Sequence, residues 1–233
     1  EFYGYIAEGY FQSEEEIKKS PRQMRELAPG DIKYKDLNDD GVIDANDQCY
    51  LGKSWFPSWS YGMGFNINYH NFDLALFFQG VSDVSIMANG GSIDTGNGDW
   101  GASGVGIVPF TGMGLNPSNV ITKALDRWTA DNPRADAWYP RMTANATTND
   151  NNYVNSTHWL KDGSYLRLKQ ASLGYTLENK KLMDKGIEYL YFYLSGQNLL
   201  TFSKFKLWDP ELGSNGAKYP LSRMVTLGMR VSF

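Results

Sequence analysis

The chain of 233 residues has one cysteine, two histidines and no run of 18 apolar residues. The single cysteine, Cys49, excludes an internal disulfide, and we interpret it as an inert small side chain rather than a nucleophile. Helical membrane spans are excluded because no apolar run is long enough to cross a bilayer. The net charge of -4 and the lack of a basic stripe argue against nucleic acid as a partner.

Motifs for enzyme chemistry are also missing. The sequence contains no H-E-x-x-H, no G-x-S-x-G and no Gly-rich phosphate loop. We expect His70 and His158 to be solvated or interfacial rather than metal ligands. The loop tryptophans either pack within their own loops, which we favour, or stack on sugar: Trp100, Trp128, Trp138 and Trp208. No catalytic residue is predicted, and the substrate-binding residues are left open.

The chain begins Glu1-Phe2-Tyr3, without the basic and apolar regions of a signal peptide. We therefore expect a mature form or a fragment of a longer protein.

The last ten residues carry the clearest pattern that is present. Apolar side chains occupy every second position from Val225 to Phe233, and Thr, Gly, Arg and Ser fill the positions between them. Period two predicts a strand. A strand of this length with one wholly apolar face suits a tilted crossing of a bilayer, with lipid on one side and a wet lumen on the other.

Four earlier segments alternate in the same way. They are predicted as strands over 60–70, 72–82, 164–177 and 187–198, the first two forming a hairpin around His70 and Asn71. In the third strand Arg167 and Lys169 share a face with apolar residues, which predicts a bulge or a change of environment. The pattern does not decide which face of the fourth strand meets lipid.

These strands predict an all-β fold, a segment of an antiparallel transmembrane β-barrel. Five strands are too few to close such a barrel, and open sheet edges are not tolerated in lipid, so we expect the other strands to lie outside this sequence. Residues 59–233 then form the C-terminal barrel strands, with long extracellular loops at 83–163 and 199–223, while residues 1–58 form an extracellular loop region. The alternative is a soluble, calcium-stabilised, carbohydrate-binding β-sandwich, whose apolar faces would pack on each other.

Two short helices are predicted in the loops. One lies within 13–25, where Ser13 can cap the helix and Glu16 stands three residues on, as in a capping box. The other begins at Asn116-Pro117 and would present one apolar face, formed by Val120, Ile121, Ala124, Leu125 and Trp128.

The sharpest local motif runs from Asp36 to Asp47 and follows D-x-[DN]-x-[DN]-G with an acid at position 12. Ca²⁺ takes six to eight hard oxygen ligands, which such a loop supplies. The predicted calcium ligands are Asp36, Asn38, Asp40, the Val42 carbonyl, Asp44 and Asp47. Asp47 stands where such loops usually have Glu, and its side chain is shorter. In this respect the loop resembles a dockerin loop. An Asx-turn-rich loop that binds nothing is the alternative.

Several segments resemble the SusC/RagA-type TonB-dependent transporters of Bacteroidetes, in the right order along nearly the whole chain. They are Pro29-Gly30-Asp31 leading to Asp36, Phe72-Asp73-Leu74 with Phe78-Gln79-Gly80, Arg127-Trp128-Thr129, Asn132-Pro133, Tyr139-Pro140-Arg141, Asp162 to Lys169, Leu173-Gly174-Tyr175, Ser195 to Leu199, and the terminal Phe233.

The resemblance implies a 22-stranded barrel with an N-terminal plug in the outer membrane of a Gram-negative bacterium. Such a transporter imports nutrients, often oligosaccharides and sometimes peptides. Its implied partners are a SusD-like surface lipoprotein and TonB, which contacts the N-terminal part. The plug, the TonB-contacting segment and the first strands have no counterpart in this sequence, and no substrate residue carries over.

Overall fold

The structure is a computed structural model that describes residues 1–52, 54–89, 122–142, 150–214, 219 and 221–233. Strands dominate it, as predicted. They are β1 (Tyr3–Gly4), β2 (Ala7–Tyr10), β3 (Ile32–Tyr34), β4 (Cys49–Tyr50), β5 (Trp59–Tyr69), β6 (Phe72–Ser82), β7 (Ser85–Met87), β8 (Leu160–Asp162), β9 (Tyr165–Leu177), β10 (Tyr189–Ser203) and β11 (Met224–Ser232). In the described part of the chain, no helix is long and apolar enough to span a membrane.

The chain divides into two compact units. One consists of Pro57–Asp83, Ser164–Lys204 and Tyr219–Phe233. It contains a five-stranded antiparallel sheet in the order β11-β10-β9-β6-β5. These are the five predicted strands, paired as an up-and-down meander in chain order.

Both ends of β10 differ from the sequence prediction. The strand begins at Tyr189 and continues to Ser203 instead of ending at Asn198. Its register against β9 shifts between Gln197 and Leu200, and Asn198 adopts a positive φ of 53° at this irregularity. The bulge interrupts the alternation that the sequence prediction relied on, and pairing resumes beyond it.

The bulge predicted for β9 is confirmed. Gln170 and Leu168 pair with the consecutive residues Phe77 and Phe78 of β6, so that Lys169 is the extra residue. The shift turns Arg167 to the polar face, where it pairs with Gln79 of β6 and lies almost fully buried.

The connections at the two ends of the sheet differ in length. His70 and Asn71 join β5 to β6 directly, with His70 at φ 52°. A short connection containing helix α2 (Lys180–Met183) joins β9 to β10. Residues 83–164 and 204–223 connect the strands at the opposite end, so short and long connections alternate as predicted.

The other unit, called the loop unit below, consists of Glu1–Phe56, Val84–Gly163 and Phe205–Lys218. Its described residues include three two-stranded ribbons: β1 with β4, β2 with β3, and β7 with β8. Its core is rich in aromatic side chains, with Tyr34, Tyr139 and Trp159 fully buried. The described part of this unit also contains helix α1 (Glu14–Lys19) and 3-10 turns at Ala45–Asp47, Thr122–Leu125, Asp150–Tyr153 and Pro210–Leu212.

The first predicted helix is confirmed at its start. The Ser13 hydroxyl accepts a hydrogen bond from the Glu16 amide at 3.2 Å, and the Glu16 carboxylate accepts one from the Gln12 amide at 2.9 Å. The helix ends at Lys19 because Pro21 follows closely.

The second predicted helix is wrong in its described part. Thr122–Leu125 is a 3-10 turn, and Leu125 is 76% exposed although Ala124 and Trp128 are buried. An i to i+3 turn places side chains differently from an α-helix, so the expected common face does not form. Asn116, Pro117, Val120 and Ile121 lie outside the described residues.

Candidate functional site

The five-stranded sheet has one face made almost entirely of apolar side chains. Directly paired residues of neighbouring strands share a face, and the register aligns Phe65, Leu76 and Ala171 on this side. The rows on β5, β6, β9, β10 and β11 comprise Tyr61, Met63, Phe65, Ile67 and Tyr69; Phe72, Leu74, Leu76 and Phe78; Leu166, Leu168, Ala171, Leu173 and Tyr175; Leu190, Phe192, Leu194, Leu200 and Phe202; and Val225, Leu227, Met229 and Val231.

This register answers the question that the sequence left open for β10. Phe192 pairs with Tyr175 on β9 and with Met229 on β11, so Leu190, Phe192 and Leu194 belong to the apolar face. The apolar face is also open: Leu227 is 80% exposed and Ile67 is 54% exposed. An apolar face that extends over five strands must be shielded from water in the assembled protein, and the acyl chains of a bilayer can shield it.

The opposite face of the sheet is polar. It carries mainly Gly, Asn, Gln, Ser and Thr, together with three tyrosines of β10: Tyr189, Tyr191 and Tyr193. The Tyr191 hydroxyl donates a hydrogen bond to Asp73 Oδ2 at 3.0 Å, and the Arg230 guanidinium lies over the Tyr191 ring. Sequence reasoning missed this group because its members come from three separate strands.

The predicted calcium loop closes on itself through its carboxylates. Asp36 accepts hydrogen bonds from the amides of Asp39 and Gly41, both at 2.8 Å. Asp47 accepts hydrogen bonds from the amides of Leu37 and Asp44, also at 2.8 Å, and so joins the two ends of the loop.

The remaining predicted ligands lie along the same loop. Asn38 bonds Asp40 through its side chain, Asp40 accepts from the Val42 amide, and Asp44 accepts from the Asn46 amide. Within the described residues, no three Asp, Glu, His or Cys side chains are arranged to hold a metal ion.

Asp47 is fully buried in this loop. Burial raises the pKa of its carboxyl, but hydrogen bonds from the Asp44 and Leu37 amides outweigh that effect and lower the pKa below its usual value. Asp47 therefore stays charged inside the fold. Ile43 beside it is 1% exposed and anchors the loop in the core.

A second buried carboxylate holds distant segments of the loop unit together. Asp31 accepts hydrogen bonds from Arg141 Nε at 2.8 Å and Nη2 at 2.9 Å. Asn152 Nδ2 and the Ala28 amide also donate to it, both at 2.8 Å. Four donors satisfy this carboxylate, which is what a buried charge requires.

His158, expected to be solvated or interfacial rather than a metal ligand, is partly buried in the structure. Its ring packs against Tyr10 and Trp159, and Nε2 lies 3.2 Å from the Trp138 carbonyl and 3.4 Å from the Tyr10 hydroxyl. Tyr10 donates its own proton to the Ala137 carbonyl, and a carbonyl only accepts. Nε2 must therefore carry the imidazole proton. Burial, together with the nearby Lys161 ammonium, lowers the pKa of His158 to about 3.

The described loop tryptophans pack within their loops. Trp128 is buried, Trp138 contacts Tyr139 and Trp159, and Trp208 packs edge-on against Phe205. Trp100 lies outside the described residues.

No protein-family model matches the sequence. Among curated proteins, TonB-dependent receptor P26 of Formosa agariphila is 30% identical over 241 residues, which is 97% of this chain and 22% of the relative. TonB-dependent receptor P3 of the same organism is 28% identical over 248 residues, covering 100% of this chain and 22% of the relative. The chain thus spans about a fifth of the length of the curated relatives it matches.

Solved structures share the fold. A RagAB peptide importer in its open-open state superposes with a TM-score of 0.64 at 24% identity, over 100% of this chain and 22% of that chain. The closed-closed state gives 0.63 at 23% identity, over 100% of this chain and 23% of that chain. The relatives are receptors and importers by name, and the sheet described above is a section of a transmembrane β-barrel wall. In sequence and fold together, the chain is similar to a segment of the SusC/RagA-type TonB-dependent transporters.

Proposed function

We propose that this chain forms the C-terminal wall and external loops of an outer-membrane importer of nutrients in a Gram-negative bacterium. The observation that carries the proposal is the two-faced sheet, with apolar residues such as Leu74 and Leu227 on one side and polar ones such as Gln79 and Thr226 on the other. The outer strands β5 and β11 each leave one edge unpaired among the described residues. Further strands of a larger barrel, 22 in the family, satisfy those edges.

The connections support an orientation. Outer-membrane barrels keep short turns on the periplasmic side and long loops outside. The His70-Asn71 turn and the α2 connection then face the periplasm. The long connections 83–164 and 204–223 then face the cell exterior, where a SusD-like lipoprotein would sit.

For the cargo we propose an oligosaccharide, with a peptide as the alternative. Few charges lie on the polar face, where hydroxyls, amides and tyrosines predominate. Such a surface suits a neutral, hydroxyl-rich molecule. Energy would come from TonB through an N-terminal plug.

The proposal is tested by deleting the gene and measuring uptake of labelled oligosaccharides and peptides, with and without TonB. We expect the strain without this gene and the strain without TonB each to lose uptake of the same oligosaccharide class. We also expect a surface lipoprotein to co-purify with the intact transporter. Loss of peptide uptake alone would correct the cargo, and unchanged uptake of every compound would contradict import.

The soluble β-sandwich is disfavoured by the exposed sheet. In a sandwich the apolar face is covered by a second sheet, whereas Val225 and Leu227 are 68% and 80% exposed. Recovery of the protein in the aqueous fraction without detergent would favour the sandwich.

We also propose that the loop from Asp36 to Asp47 binds Ca²⁺ as a structural ion. The proposed ligands are Asp36, Asn38, Asp40, the Val42 carbonyl, Asp44 and Asp47, a set of hard oxygens that suits the ion. The closure of the loop by Asp47 supports this proposal, because the loop ends already lie together. The outer carboxylates would draw inward when the ion binds and clamp the loop.

A further inference from the structure

The two-faced pattern of the strands does not by itself fix which residues pair. A slip of β11 along β10 by two residues keeps every apolar side chain on the apolar face, because the side-chain period is two. The observed register runs from Tyr189 opposite Ser232 to Gln197 opposite Met224. Something besides hydrophobicity must select it.

Tyr193 lies between two glycines in this register. It pairs with Gly174 on β9 and with Gly228 on β11. A Cβ atom added at Gly228 would overlap the ring tip and hydroxyl of Tyr193. A slip by two residues in either direction would place Thr226 or Arg230 beside Tyr193, and the Cβ of either residue would meet the same obstruction.

Tyr191 extends the same arrangement across β9. Its hydroxyl reaches Asp73 on β6, and both groups sit where a Cβ of Gly174 would stand. Arg230, paired with Tyr191, lies over its ring at 6.0 Å. The contacts therefore run through β6, β9, β10 and β11 and depend on glycine at two places.

We propose that Asp73, Gly174, Tyr191, Tyr193 and Gly228 form a register lock that selects the pairing of the last strands during barrel assembly. The tyrosines fill the space that only glycine leaves open, so a slipped β11 is excluded by steric overlap. Register matters because strand stagger sets whether a barrel can close.

Disulfide trapping in the complete gene product, in a background without other cysteines, tests the lock. The pair Ser195→Cys with Thr226→Cys reports the native register. The pairs Ser195→Cys with Met224→Cys and Gln197→Cys with Thr226→Cys report slips of two residues in the two directions. Trapping reads pairing directly, so it does not depend on whether the protein imports cargo.

We expect only the native pair to cross-link in the unaltered lock, and slipped pairs to appear with Tyr193→Ala. Gly228→Ala should lower the assembled amount several-fold, and adding Tyr193→Ala should restore assembly while allowing slips. The control is Gly64→Ala on the same face, where a Cβ would lie 3.8 Å from its nearest neighbours. Native cross-links alone with Tyr193→Ala, Gly228→Ala assembling as well as Gly64→Ala, or no recovery in the double variant would each overturn the lock.

Discussion

The Arg141 guanidinium donates two hydrogen bonds to the buried Asp31 carboxylate, at 2.8 and 2.9 Å, although the two residues are 110 positions apart in the sequence. The Asp31 side chain is 2% exposed, whereas that of Arg141 is 25% exposed. The pair joins the Asp31 turn to the segment after Pro140, and Asn152 completes it from a third segment.

Arg141→Ala should therefore destabilise the loop unit by about 3 kcal/mol, because it leaves a carboxylate buried without its cation. Hydrogen exchange of the amides near Ala28 and Ile32 in the purified transporter would measure the loss. Arg134→Ala is the matched control, since Arg134 pairs with Asp126 and Asp136 at the surface, and it should change nothing measurable. Equal exchange in both variants would contradict a structural role for the pair.

Both the backbone conformation at Gly30 and the space around it require glycine. Its φ is +91°, and a Cβ there would overlap the ring of Trp128. Gly30→Ala should cost roughly 2–4 kcal/mol from backbone strain and overpacking together. Gly52→Ala is the control, because Gly52 has φ +74° but nothing within 4 Å of the added atom. Its cost should be about 1 kcal/mol, from strain alone. Proteolysis rates of the loop unit would rank the two variants, and an equal cost would show that Trp128 does not restrict the site.

His158 should make the loop unit acid-sensitive. Its folded pKa of about 3 lies below its ordinary value of 6.5, so the unfolded chain binds a proton first as the pH falls. Stability contributed by this residue is complete above about pH 7 and decreases by about 1.4 kcal/mol per pH unit between 6.5 and 3. His158→Gln keeps an N–H for the Trp138 carbonyl and should remove this slope. Hydrogen exchange of the loop unit at pH 7 and pH 5 would compare the stability of the two proteins, and an equal loss of stability in both would show that His158 does not cause the acid sensitivity.

The proposed binding of calcium to the loop from Asp36 to Asp47 should depend on Asp40 and not on the neighbouring Asp39. Asp40→Ala removes a proposed ligand, whereas Asp39→Asn removes the same charge at a residue whose φ of 58° asparagine tolerates. We expect the unaltered protein and Asp39→Asn to hold one more equivalent of calcium than Asp40→Ala by elemental analysis. Equal metal content in all three would end the calcium proposal.

Sequence reasoning succeeded where structure is local. The alternation of Val225 to Phe233 is set by neighbouring residues, and so is the cap of Ser13 on Glu16; the strand and the start of the helix both formed as predicted. The bulge in β9 was also foreseeable, because Arg167 fell out of phase with the apolar residues around it.

The features that the sequence did not predict depend on contacts between residues far apart in the chain. Tyr10 and Trp138 surround His158 from positions 148 and 20 residues away, and no local pattern reports such burial. The pairing of Tyr193 with Gly228 is equally invisible in sequence, because register is decided between strands. Tertiary packing overrode the helical pattern at Leu125, which faces solvent.

A membrane-spanning sheet must expose its apolar face to lipid and its polar face to water. Nitroxide labels at two adjacent pairs of positions test it in the reconstituted transporter: Leu227 and Thr226 on β11, and Ile67 and Asn66 on β5. Leu227 and Ile67 should be accessible to oxygen dissolved in the bilayer and shielded from a water-soluble nickel reagent, and Thr226 and Asn66 should show the reverse. Equal accessibility at adjacent positions, or nickel access at Leu227 and Ile67, would contradict the membrane-spanning sheet.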